Sequence, residues 1–371
     1  MRIKNLKLKN FRNYGDLDID FAGSFNVIYG NNAQGKTNII EAIFLCASGR
    51  SHRTSKDIEL LKYGAPGFRV ALALEKDGNE EVIEINFTPQ EKKKIRINEI
   101  PLKRIGDLLG HLNAVIFSPE DLLIIKQGPA ERRRFTDIIL SQLRTSYFYD
   151  LQQYAKILYQ RNTLLKNING RKDLESTLEV WDRHLVNTGT RIMSARRSFV
   201  KKLAVLAAAR HEILSNDTEK LSLKYSPSVD LGDDDGNEMI AVKYMKLLEK
   251  NRWKEIQKGT SIFGPHRDDI DIILNGESTK IYGSQGQQRT SVLSMKLAEI
   301  DLIKEETENF PVLLLDDVMS ELDDSRKGYL MESIHGMQTF IACTEKRFFM
   351  GSGESAWENA RFFNVKNGVI Y

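Results

Sequence analysis

Apolar positions change their spacing along this chain, and the changes mark out its elements. Over residues 2–29 the pattern predicts three strands. Ile3, Leu6 and Leu8 are followed by a turn at Asn13-Tyr14-Gly15. Leu17, Ile19 and Phe21 then alternate with Asp16, Asp18 and Asp20, the period of a half-exposed strand. Ser24-Phe25-Asn26-Val27-Ile28-Tyr29 is a largely apolar, partly β-branched run. Asn38 to Cys46 suits a buried helix. Residues 68–100 read as a β-meander, with a hairpin turn at Asp77-Gly78-Asn79 and a third strand at Ile95-Arg96-Ile97. Ala114-Val115-Ile116-Phe117 is one more strand. Ser118-Pro119-Glu120-Asp121 is then expected to open a helix, with Ser118 as its cap and acids in its first turn.

From about Pro129 to Leu214 the pattern is helical. Leu178, Leu185, Ile192, Phe199, Leu206 and Ile213 recur every seven residues, with Leu174, Trp181 and Ala195 between them, while Thr188 and Lys202 break the repeat. Tyr147, Leu151, Tyr154, Leu158 and Leu165 mark a preceding helix. Two long helices joined near Asn167-Ile168-Asn169-Gly170 would form a short antiparallel arm. An ordinary bundle fits the same pattern. Later, a strand at Ile270–Leu274 and a turn at Asn275-Gly276 precede a helix running through Val292, Leu293, Met295, Leu297, Ile300 and Leu302. A last apolar strand is Pro311-Val312-Leu313-Leu314-Leu315-Asp316-Asp317.

Two stretches carry chemistry. Gly30-Asn31-Asn32-Ala33-Gln34-Gly35-Lys36-Thr37 has the spacing G-x-x-x-x-G-K-[ST] of a phosphate-binding loop, between a strand and a helix that opens at Asn38. A chain of this length would carry the pattern by chance about once in a hundred. Its glycines let successive backbone N–H groups turn inward on phosphate oxygens. Lys36 would reach the β- and γ-phosphates, and Thr37 would help to hold Mg²⁺. The helix start presents its positive end to the same anion. Val312–Asp317 has the complementary Walker B form: a buried strand delivering Asp316 to Mg²⁺ and Asp317 to the attacking water. Alone that string is weak; downstream of a P-loop it is strong.

Composition adds constraints. Formal charge is +3, from 54 basic and 51 acidic residues, so any polyanion surface must come from local clustering. Cys46 and Cys343 sit in apolar runs, as reduced core residues do. No run reaches membrane-spanning length and the first residues lack a signal h-region, so a cytoplasmic protein is expected. The basic loop Gly49–Lys56 is either a solvated connection or a phosphate contact, through Arg50, Arg53 and Lys56. Arg132, Arg133, Arg196 and Arg197 are second candidates for a polyanion contact, although most charge runs on helices are solvated faces. Arg12 divides evenly between a nucleotide contact and an exposed turn. Asp230–Gly236, an acidic glycine-containing stretch, lacks calcium-loop spacing and reads as a surface turn.

Further motifs carry a family resemblance. Ser284-Gln285-Gly286-Gln287 at a helix start looks like the signature loop of ABC-type ATPases, acting in trans. Ser320-Glu321-Leu322-Asp323 looks like their D-loop, and Thr339–Thr344 like the strand and switch position that follow. With Phe11-Arg12-Asn13-Tyr14, Ser51-His52-Arg53, Phe117–Leu122 and Gly264-Pro265-His266-Arg267-Asp268, the whole chain resembles the bacterial RecF family, recombinational repair proteins related to SMC-type ATPases.

The resemblance implies an α/β fold: an ABC-type P-loop ATPase lobe built from residues 1–117 and 263–371, with a helical lobe inserted over 118–262 and carrying the arm. It implies ATP and Mg²⁺, bound by Gly30–Asn38 and Arg12. The ATP lies between the P-loop of one subunit and Ser284–Gln287 of another, so that an ATP-dependent homodimer clamps DNA at gaps and single-strand/duplex junctions. RecO and RecR are the implied partners, in support of RecA loading and the SOS response. Asp317 stands where many ABC-type ATPases have Glu, and Thr344 where transporters have His. Both departures predict a slow, DNA-stimulated ATPase in which Lys36, Asp316 and Asp317 act and Ser320, Asp323 and Thr344 support. A transporter ATPase subunit and a P-loop small-molecule kinase are the alternatives.

Overall fold

The structure is a computed structural model that describes residues 1–168, 175–344 and 359–371. The chain divides into two compact units, residues 1–121 with 296–371, and residues 122–295.

The first unit holds two six-stranded sheets. One is antiparallel, in the order Tyr14–Asp20, Arg2–Phe11, Phe68–Lys76, Asn79–Thr88, Lys92–Ile97 and Ile100–Pro101. Its strands alternate buried and exposed positions, as a sheet with one wet face must. The other runs Val369–Ile370, Arg361–Lys366, Phe25–Tyr29, Thr339–Cys343, Val312–Asp316 and Ala114–Phe117. All its pairings are parallel except that of the terminal hairpin. Its central strands, Val312–Asp316 and Thr339–Cys343, are buried along their whole length, which explains their unbroken apolar runs. The helix Lys36–Ser48 packs against strands of both sheets. Ile39 to Ala47 are therefore all buried, and the segment shows no polar face.

Asp77 (φ 51°) and Gly78 (φ 80°) make the predicted hairpin turn. The expected helix at Ser118 is instead a 3-10 turn, Pro119–Leu122, followed by the one-turn helix Leu123–Lys126. The cap is also reversed: the Asp121 carboxylate accepts from the Ser118 N–H at 2.8 Å.

The second unit contains the helices Pro129–Leu143, Thr145–Asn167, Glu175–Leu214 and Asn237–Lys258, and a three-stranded antiparallel sheet. Thr145–Asn167 and Glu175–Leu214 run antiparallel. Asp150 pairs with Arg191, Arg161 with Asp182, and Leu165 and Ile168 pack on Leu178. The loop expected at Asn169-Gly170, and Leu174, lie outside the described residues. The helix Asn237–Lys258 packs along this pair and sends Glu255 to the fully buried Arg161. Leu178, Leu185, Ile192 and Phe199 face the core, but Leu206 is half-buried and Ile213 is 57% exposed. A straight helix drifts about 20° per heptad, so the buried line moves to Leu203, Ala207 and His211.

Residues 263–295 fall in this unit rather than with the ATPase sheets, where the resemblance places them. The strand Asp269–Leu274 pairs along its whole length with Leu221–Ser226. Residues 118–121 join the first unit. Gly264 (φ 124°) is fixed by sterics: a Cβ there would lie 2.1 Å from the Tyr244 hydroxyl. Among the described residues no helix is long and apolar enough to cross a membrane.

Candidate nucleotide site

The P-loop joins the strand Phe25–Tyr29 to the helix Lys36–Ser48. Gly30 (φ 148°) and Gly35 (φ 117°) take backbone angles that side chains resist, and a Cβ on Gly30 would meet the Val365 carbonyl at 2.4 Å. Gly35 caps the helix, no side chain caps it, and its first turn carries no acid. The leading N–H groups are thus left without a side-chain cap or an acid of their own turn, as an anion-binding helix start requires. Lys36 Nζ donates to the carbonyls of Gly30 at 2.8 Å and Asn31 at 3.0 Å, so the ammonium lies across its own loop.

Thr37 Oγ1 donates to Asp316 Oδ1 at 2.8 Å. The two expected Mg²⁺ ligands are therefore in contact. Burial pushes the Asp316 carboxyl up to about 6, against the stabilising Thr37 bond and with help from the negative Asp317 and Glu120. One hydroxyl and one carboxylate suit Mg²⁺, which takes its remaining ligands from phosphate and water. Asp317 follows in the left-handed region (φ 53°), its N–H donating to the Ala342 carbonyl and its own carbonyl accepting from the Ser320 hydroxyl. Asp323 caps the helix Asp324–Ser333 by accepting from the Arg326 N–H, and Thr344 is exposed just past Thr339–Cys343.

In the second unit, Ser284 and Gln287 form a reciprocal cap at the start of the helix Gln285–Thr307. The Ser284 N–H donates to Gln287 Oε1 at 2.8 Å, and the Gln287 N–H to Ser284 Oγ at 3.2 Å. Ser284 and Gln285 are exposed, and Gly286 and Gln287 half-buried.

A model of the RecF/RecN/SMC N terminal domain matches residues 2–370. "DNA replication and repair protein RecF" of Ruminiclostridium cellulolyticum is 51% identical over 372 residues, covering 100% of this chain and 99% of that one. The chain belongs to the RecF family. A solved structure of the recombination mediator protein RecF-ATP in the RecFOR pathway covers 100% of this chain and 97% of its own, at 39% identity and a TM-score of 0.93. An SMC head bound to the C-terminal winged-helix domain of ScpA (18% identity, TM-score 0.56, covering 100% and 96%) shares the fold. The RecF fold is thus an α/β fold of the ABC-type ATPase class.

The fold gives several residues around this RecF-family P-loop partners that the sequence pattern did not show. Asn13 Nδ2 donates to the Gln34 carbonyl, and Asn38 Nδ2 to Asn13 Oδ1. The Tyr14 hydroxyl donates to the Gly35 carbonyl. Gln34 is also held from the far end of the sequence: its Oε1 and carbonyl accept from the N–H groups of Asn367 and Gly368. Glu41 is the main omission. It lies fully buried on the P-loop helix, where Arg12 grips both its oxygens at 2.6 and 2.8 Å. Ser51 donates to it and Arg53 stands 3.5 Å away. Although burial opposes ionisation, the Arg12, Ser51 and Arg53 contacts hold the Glu41 carboxyl below its usual range. A glutamate in an otherwise apolar helical run, two turns from basic loops, was the available signal.

Arg12 is thus committed to Glu41 and the Glu59 carbonyl in this structure. The four helical arginines proposed as second DNA candidates are engaged within the fold. Arg132 is buried in an ion pair with Asp269, and Arg133 donates to the Asp268 carbonyl. Arg196, 5% exposed, pairs with Asp137, and Arg197 donates to the carbonyls of Gly232 and Asp235. Arg132 and Arg196 are neutralised by carboxylates, while Arg133 and Arg197 hold the Asp268 and Asp235 turns through carbonyls. The basic loop differs: Arg50 is exposed, Arg53 has 43% of its side chain exposed, and Lys56 is 3.9 Å from Glu59.

Proposed function

We propose that this chain is an ATP-dependent DNA-binding protein of replication and repair whose nucleotide state switches a dimer. The observation that carries the reading is the Thr37–Asp316 hydrogen bond, which brings the P-loop and the Walker B strand to one point. The relative solved with ATP supports ATP as the ligand.

Backbone N–H groups of Gly30–Thr37, with Asn38 behind them, would cradle the phosphates. Lys36 would exchange the Gly30 and Asn31 carbonyls for phosphate oxygens. Mg²⁺, held by Thr37 and Asp316, would neutralise charge as it develops. Asp317 would orient water as a base, and its short side chain makes turnover slow. Ser284–Gln287 of a second copy would close the site, so that ATP favours the dimer by mass action. Ser320, Asp323 and Thr344 would shape the remaining wall. The DNA contacts fall to Arg50, Arg53 and Lys56, sequence-independent and salt-sensitive. Gapped DNA as the target, RecO and RecR as partners in RecA loading and SOS induction, and a cytoplasmic setting complete the proposal.

The test is sedimentation with and without ATP and Mg²⁺, for wild type and Ser284→Arg, with a short gapped duplex added. Dimerisation only with ATP, lost in the variant and accompanied by DNA binding, supports the reading. A monomer in every condition overturns it.

A further inference from the structure

Glu219 sits between the helix Glu175–Leu214 and the strand Leu221–Ser226, in a stretch without a motif. Its carboxylate serves two donors. Oε1 accepts from Gln287 Nε2 at 2.8 Å, and Oε2 accepts from His211 Nε2 at 3.2 Å. His211 is fully buried, and its other ring nitrogen lies 3.0 Å from the Ser294 hydroxyl, two turns along the helix that starts at the signature loop.

This places Gln287 under a double constraint. Its side-chain oxygen takes the Ser284 N–H, and its side-chain nitrogen gives to Glu219. An amide can turn over by half a rotation wherever its partners tolerate it. Here one side offers only a donor and the other only an acceptor, so a single orientation survives. That orientation closes the reciprocal cap and sets where the Ser284 hydroxyl stands.

We infer that Glu219, backed by His211, is a positioning residue for the signature loop. It fixes the Gln287 amide so that Ser284 Oγ and the helix start meet the γ-phosphate held by a second copy of this chain in one geometry. The inference rests on the trans role proposed above for Ser284–Gln287. A carboxylate suits the place because its two oxygens accept separately, one from an amide nitrogen and the other from an imidazole N–H.

The experiment compares wild type, Glu219→Ala, Glu219→Gln, Gln287→Ala and the Glu219→Ala/Gln287→Ala double variant. It reads ATP-driven dimerisation by sedimentation and ATP binding by the monomer with a fluorescent ATP analogue. Glu219→Ala should weaken dimerisation about tenfold, the scale of one charge-assisted hydrogen bond, and leave monomer ATP affinity unchanged. Glu219→Gln keeps an oxygen toward Gln287 and should dimerise within about twofold of wild type. The double variant should be no weaker than the worse single variant, because both changes cut the same hydrogen bond. Additive effects, wild-type dimerisation in Glu219→Ala, or a Glu219→Gln variant as poor as Ala would overturn the inference. Should Glu219→Ala not fold, the Gln variant and Gln287→Ala still decide it. Wild-type dimerisation in Ser284→Arg would instead overturn the trans role itself, and this inference with it.

Discussion

Thr37 and Asp316 are 279 positions apart in sequence and 2.8 Å apart in space. The contact couples metal binding to a proton. Asp316 has a folded pKa of about 6, above its unfolded value of 3.8. The folded state therefore holds this proton more tightly than the unfolded state. The resulting stability is fully present below the unfolded pKa and is lost as pH rises through about 6, on the order of 3 kcal/mol. Mg²⁺ needs the charged form, so Mg²⁺-dependent ATP affinity should rise over the same window. Denaturant melts and ATP titrations between pH 4 and 7, for wild type and Asp316→Asn, check this. A stability difference that does not change with pH would remove Asp316 as the titrating group.

Asp317→Asn should retain ATP binding and slow hydrolysis by about a hundredfold, the scale of a positioned general base. Single-turnover hydrolysis with saturating nucleotide measures it. Hydrolysis at the wild-type rate would refute the role given to Asp317.

Arg12→Ala would leave Glu41 buried without its bidentate partner. Removing one partner of a buried pair costs about 3–5 kcal/mol, so this variant should be strongly destabilised. Arg12→Ala combined with Glu41→Leu should recover much of that stability. Urea unfolding of the four proteins in the cycle gives the coupling; independent effects would show that Glu41 is not the hub the geometry describes.

Charge reversal should separate the two groups of arginines. Arg196→Glu places a second negative charge beside Asp137 and near Asp268, inside the fold, and should lower the melting temperature sharply. Arg50→Glu, at an exposed position of the basic loop, should leave the fold intact, weaken DNA binding and reduce the salt slope by about 0.9 for each duplex phosphate it no longer neutralises. If Arg50→Glu matches wild type in both affinity and slope, Arg50 is not part of the DNA surface.

The P-loop, the strands within residues 2–29, 68–100 and 114–117 and the apolar Walker B strand were legible because each rests on local spacing. What stayed hidden depends on distant partners. Arg196 and Arg197 read as exposed base on a helix, and only the fold brings Asp137 and the carbonyls of Gly232 and Asp235 to them. Asp121, read as a first-turn acid, bonds back to Ser118. Ile213 kept a seven-residue count that a straight helix does not keep. Glu41 and Glu219 belong to no motif, since their roles are set by what meets them in space.

Gln34 lies within the phosphate loop yet is tied by Asn367, 333 positions later. On a ribosome, the loop's sequence appears early and its scaffold late. Thr339–Cys343 and Arg361–Lys366 must both emerge before the strand that feeds the loop gains its neighbours. A nascent chain would therefore carry the whole ATP motif long before it could close a nucleotide site around it. Competence to bind ATP would arise only once Thr339–Cys343, Arg361–Lys366 and Asn367 have emerged.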